Sequence, residues 1–114
     1  MTHDNNIWSF EQRPNFLGHL HQATGYVGAK LGWEYRHLRS RVENIELMAD
    51  SFDRSPDDVA ATELRVWWKV EPTPTEMRAW CEAWAFCCYA PENVRHVLPD
   101  GRRLRLQPNG RFDV

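Results

Sequence analysis

The stretch YVGAKLGWEYRHLRSRVENIELMADSF, Tyr26 to Phe52, decides how the rest of the chain is read. Leu31, Tyr35, Leu38, Val42, Ile45, Ala49 and Phe52 recur in alternating steps of four and three, the seam expected along one face of an α-helix. Arg36, Arg39, Glu43, Glu46 and Asp50 fall off that seam, and Arg39 with Glu43 forms an i,i+4 pair. A helix over the whole stretch is about 40 Å long at roughly 1.5 Å per residue. Gly28 and Gly32 weaken its first turns or let another backbone come close. The expected fold is mainly α (α+β), a small helical bundle around one long helix with a short C-terminal antiparallel β-hairpin or meander. A face with this period can also bury against a twin, which leaves homodimerisation open.

On the N-terminal side, residues 1–13 read as an arm, with Ile7, Trp8 and Phe10 as anchors onto the body. Asn15 follows Pro14 as an N-cap, and Phe16, Leu17 and Leu20 form an apolar stripe on a short helix ending near Thr24–Gly25. On the C-terminal side, Ser55-Pro56-Asp57-Asp58 has a cap, a proline at the first helical position and acids facing the positive end of the dipole. The following VAATELRVWWKV fits either a helix or, through Leu64, Val66, Trp68 and Val70, an alternating strand. The cap tips the reading to helix.

Thr73-Pro74-Thr75-Glu76 is a capping box, so a helix opens there and carries WCEAWAFCCY. The tail VRHVLPDGRRLRLQPNGRFDV is punctuated by Pro-Asp-Gly and Pro-Asn-Gly, as a hairpin or meander is. At 114 residues the chain is one domain: an arm over 1–13, a helical body over 14–90 and the β-hairpin or meander over 94–114.

A net charge of −2 argues against a polycation built to coat nucleic acid. The charge is uneven. Acids outnumber bases over residues 51–93, whereas Arg95, Arg102, Arg103, Arg105 and Arg111 crowd the tail. MTHDNNIWSF holds no apolar run of signal-peptide or membrane-spanning length. Three cysteines within eight residues cannot make a spaced disulfide framework, so a reduced, cytoplasmic setting is expected.

Chemistry-bearing patterns are sparse. On a helix, Met77, Trp80, Cys81, Trp84, Cys87 and Cys88 share one broad side with few polar residues left for water, which makes the stretch core rather than a thiol site. Cys87 and Cys88 lie near a helix C-terminus, where the dipole disfavours a thiolate. Glu34-x-x-His37 matches half of a di-iron element but has no second copy. His19, His21, His96 and the cysteines lack zinc-site spacing. No phosphate-loop, nucleophile-elbow or dinucleotide motif occurs. No cofactor, metal or catalytic residue is therefore expected.

The remaining function classes are binding classes. The first is a non-enzymatic protein-binding domain, in the manner of small phage or mobile-element proteins that inhibit a host complex by occlusion. Trp8, Trp33 and Trp67 are its candidate contacts, because tryptophan and arginine dominate interface hot spots. The alternative is a small nucleic-acid-binding regulator. Arg103 and Arg105 alternate with leucines and share a strand face, Arg111 can join them, and guanidinium forks suit phosphate. An enzyme without a familiar motif is the third class.

Overall fold

A computed structural model describes the backbone of residues 7–8, 14–48, 63–87 and 89–113. Its architecture is α+β: helices α1 (Pro14–Leu31), α2 (Tyr35–Arg41) and α3 (Pro74–Phe86) beside a mixed sheet. The strands are β1 (Ile7–Trp8), β2 (Val42–Met48), β3 (Glu63–Trp68), β4 (Val94–Val97), β5 (Arg103–Leu106) and β6 (Phe112–Asp113), lying in that order across the sheet. β1 and β6 are two-residue edges on a four-stranded centre. Neighbours run antiparallel except β3 and β4, which are parallel and are connected through α3. Parallel pairing needs such a crossover. Among the described residues no helix is long and apolar enough to cross a membrane.

The long helix does not form. α1 runs straight through the expected stop at Thr24–Gly25 and ends at Leu31. Gly32 follows with φ +71°, and the Trp33 N–H returns 2.8 Å to the Gly28 carbonyl. That six-to-one closure on a left-handed residue is a Schellman cap, and it needs a glycine. A single short helix follows, and at Val42 the backbone becomes extended.

The misleading seam has a local cause. Val42, Ile45 and Leu47 all face the core, and the register between β2 and β3 shifts between Val42 and Asn44. This β-bulge inserts one residue, so a strand keeps an i,i+3 pair of inward residues that mimics a helix. Homodimerisation through a continuous seam loses its basis, because the seam is divided among α1, α2 and β2. Residues 63–68, read as helix, form β3 with alternating burial. The cap at Ser55–Asp58 and the arm residue Phe10 lie outside the described residues. The C-terminal strands are not an appended hairpin either. They complete the sheet of which β2 and β3 form the other half.

α3 follows its local signals. Thr73 accepts from the Glu76 N–H at 3.1 Å, and Glu76 accepts from the Thr73 N–H at 2.8 Å. Glu76 also takes a two-pronged guanidinium contact from Arg41, with Nη2 at 2.8 Å, tying the end of α2 to the start of α3. Burial works to raise the Glu76 carboxyl, but the hydrogen bonds from Arg41 and Thr73 outweigh it and hold the group below its usual range.

The core lies between α1, α3 and one face of the sheet. Leu20, Ala23 and Val27 of α1, Met77, Trp80, Cys81 and Trp84 of α3, and Val66, Trp68 and Val94 of the sheet belong to one buried cluster. Trp68, Trp80 and Trp84 are fully buried, and the last two stack at 6.1 Å. Each contributes roughly 4–6 kcal/mol of transfer free energy before entropy is counted.

Two copies of one turn shape the C-terminal strands. In Leu98-Pro-Asp-Gly101 and Gln107-Pro-Asn-Gly110 the glycine N–H bonds the first carbonyl at 2.9 Å, and the glycine φ is +90° and +83°. Asp100 and Asn109 each accept the N–H two residues on, from Arg102 and Arg111, at 3.0 Å.

Candidate functional site

Because side chains alternate along a strand, β3, β4 and β5 present a second face away from the helices. Leu64, Val66 and Trp68 point inward, so Glu63, Arg65 and Trp67 point outward. The register sets Arg65 opposite Arg95 and Trp67 opposite Val97. β5 pairs Val97 with Arg103, which brings Arg105 level with Arg95. On the other side Glu46 is opposite Arg65. One row across the outer face therefore reads Glu46, Arg65, Arg95, Arg105 and, on β6, Asp113, and the next holds Trp67, the buried Val97 and Arg103.

The charges in this row are unevenly compensated. Glu63 bridges two guanidinium groups, Arg65 Nε at 2.8 Å and Arg95 Nε at 3.1 Å. Glu46 is engaged by the Trp67 indole N–H at 2.6 Å. Arg103 and Arg105 are exposed and have no ion pair among the described residues. Their neighbour Arg102 differs: it pairs with Glu71 at 3.0 Å and Asp100 at 2.7 Å. The Arg102 backbone N–H and guanidinium in turn hold the Asp100 carboxyl below its usual range.

The candidates divide among several places. Trp67, Arg103 and Arg105 meet on the outer face. Arg111 is exposed beyond it, next to the half-buried Phe112. Trp33 lies elsewhere, half-buried between α1 and α2, with its ring 5.0 Å from His37 and 6.0 Å from the Arg41 guanidinium. Trp8 belongs to β1, opposite Leu47, and its side chain is outside the described residues. Arg65 was missed by sequence reasoning, and Arg95 was noted only as one of the arginines of the basic tail. Once residues 63–68 are read as a strand, alternation in ELRVWW and VRHV puts both on the polar side.

No family model, no curated protein and no solved structure matches this chain.

The inner face holds the one close thiol–imidazole pair among the described residues. His96 is fully buried, and the Trp68 indole N–H donates to its Nδ1 at 3.1 Å. An indole can only donate, so the ring proton resides on Nε2, which faces Cys81 Sγ at 3.7 Å. Burial pushes the His96 imidazole down to about 3 and the Cys81 thiol up to about 12. A nucleophilic pair needs the opposite, a thiolate beside a cation. This pair stays neutral and sealed.

Elsewhere, Glu34 pairs with Arg36 rather than with His37. His19 bonds the Tyr89 hydroxyl at 2.9 Å, while His21, two residues on along α1, is exposed. Among the described residues no group of three ligand-type side chains could hold a metal ion.

Proposed function

We propose that this chain is a non-enzymatic binding domain that docks an acidic protein surface on the outer face of its sheet. The observation that carries the reading is the row of Arg65, Arg95 and Arg105 on three adjacent strands. Like charges opposite one another destabilise a sheet. Glu63 serves only two of the three, Arg105 has Asp113 opposite it on β6, and Arg103 in the next row adds a fourth guanidinium without an ion pair among the described residues. At about 4.8 Å between strands the row spans about 10 Å; Arg105, with Arg103 beside it, is the exposed end, while Arg65 and Arg95 are mostly covered and held by Glu63. Trp67 lies beside it, and guanidinium forks grip carboxylates in a fixed geometry. Tryptophan and arginine together are the residue types that concentrate binding energy. A small domain attached in this way acts by covering its partner's surface, which suits inhibition by occlusion.

The nucleic-acid alternative uses the same arginines as phosphate contacts, and one experiment separates the two. Tagged protein, wild-type, Arg103→Glu or Arg36→Glu, captures partners from bacterial lysate, with half of each sample nuclease-treated. The expected result is a stoichiometric protein that survives nuclease. Reconstituted with purified components, it binds Arg103→Glu at least about tenfold more weakly and Arg36→Glu nearly as well as wild-type. If nucleic acid is what co-purifies and nuclease removes it, the arginines contact phosphate and the protein-docking reading is wrong.

A further inference from the structure

On the far side of α1 from α3, a cleft of about 390 Å³ opens between α1 and α2. Its floor is Gly25 and Ala29, its walls are Trp33, Tyr35 and the buried Leu38, and Glu34 stands in its lining. The volume is that of a small-ligand pocket, and the lining is the usual mixture of aromatic and apolar groups with few polar ones.

Two glycines of α1 line this cleft, and only one is explained by the fold. A Cβ on Gly28 would crowd the Trp33 carbonyl at 3.1 Å, so the close approach at the helix cap favours glycine there. A Cβ on Gly25 would meet nothing within 4 Å, and Gly25 is not among the glycines with positive φ. Glycine is nonetheless the least favourable residue in a helix interior apart from proline. What its lack of a side chain achieves is an open floor. Tyr35, at 65% exposure, is one of the few large apolar side chains left to water, and it stands on this cleft.

Charge selects the occupant. Among the described residues Glu34 is the only carboxylate in the lining and no arginine or lysine joins it; His21 and Thr24 are the other polar side chains there. Its ion pair with Arg36, at 3.2 Å, joins side chains that are 77% and 89% exposed. Such a pair is weak and readily exchanged. Aromatic faces beside a carboxylate favour a cation, through the ring quadrupole as well as the charge. We propose that the cleft binds a small organic cation, an ammonium head on an apolar body, with the head at Glu34 and the body against Trp33 and Tyr35.

Phenethylammonium chloride is a direct probe, with 2-phenylethanol as its neutral counterpart, followed by calorimetry and by amide shifts in 15N-labelled protein. For so small a probe, saturable binding with a dissociation constant on the order of millimolar is expected, with shifts at Gly25, Trp33 and Tyr35. Gly25→Leu fills the floor and should weaken binding at least about tenfold. Gly25→Ala should retain it and, as a helix-favouring change, confirm that this position tolerates a side chain. Glu34→Gln, and the neutral counterpart, should each bind about two- to fivefold more weakly, as suits an exposed carboxylate. No saturable shift below about 20 mM would be weaker than even a small fragment in a real pocket and would overturn the proposal. So would unchanged affinity in a folded Gly25→Leu protein, or equal binding of the alcohol and the ammonium.

Discussion

β3 and β4 carry two environments on the same backbone. On the inner face Val66, Trp68, Val94 and His96 are all shut off from water, and even the one titratable group is held neutral by burial. On the outer face Arg65 and Arg95 stand opposite each other with a single shared carboxylate. Inside, every polar atom of the Trp68–His96–Cys81 chain has a partner. Outside, arginines sit level on three strands, with acids opposite them only at the two ends of the row. The contrast shows where this fold spends its stability and where it tolerates a cost, and tolerated cost is what marks the outer face as a surface for something else.

The sharpest way to break the inner face is Trp68→Ala. It removes a fully buried indole and leaves His96 Nδ1 without its donor, so a loss of about 3–5 kcal/mol is expected, read from urea unfolding. A loss below about 1 kcal/mol would mean that the inner face is loosely packed after all. pH probes the same chain. An unfolded histidine titrates near 6.5 and the native His96 near 3, so the unfolded state binds the extra proton between those values. The contribution of neutral His96 is then full above about pH 6.5 and declines by up to about 1.4 kcal/mol per unit below it, some 2–3 kcal/mol by pH 4.5. His96→Gln should flatten that slope in a stability-against-pH series. Glu76 adds to it only further down, because its lowered carboxyl keeps its contribution until pH falls below about 4.5.

What could be read from the chain alone follows the range of the forces involved. α3 was legible because every signal for it is local: Thr73, Pro74 and Glu76 fix the start, and the tryptophans fix the buried side. The shared face of Arg103 and Arg105 was legible for the same reason, since alternation needs only four residues. The stretch from Tyr26 to Phe52 was misread because a bulge near Asn44 gives Val42 and Ile45 a helical spacing. The tighter alternation Ile45-Glu46-Leu47, and the glycine at 32, carried the correct reading. The parallel pairing of β3 with β4 left no mark in either segment, because it is set by a crossover through α3 and not by neighbours in sequence. Arg65 and Arg95 meet only through that pairing, so half of the candidate surface was out of reach.

The outer face should respond weakly to mutation, and in a different direction. Glu63→Gln removes the carboxylate shared by Arg65 and Arg95, both mostly covered, and should cost about 1 kcal/mol at low ionic strength and less in high salt. Arg105→Thr removes the outermost guanidinium of the row, which lies between Arg95 on β4 and Asp113 on β6, and supplies a β-branched residue on a strand. Its expected effect is within about 0.5 kcal/mol of zero and on the stabilising side, growing as salt is lowered. That sign is the decisive part. If losing Arg105 destabilised the isolated domain by 1 kcal/mol or about that, the arginine would be a structural element and the row would need no partner to explain it. If the domain gains stability while its captured partner is lost, the same side chain is unfavourable to the fold and favourable to binding, which is the trade expected of a contact surface.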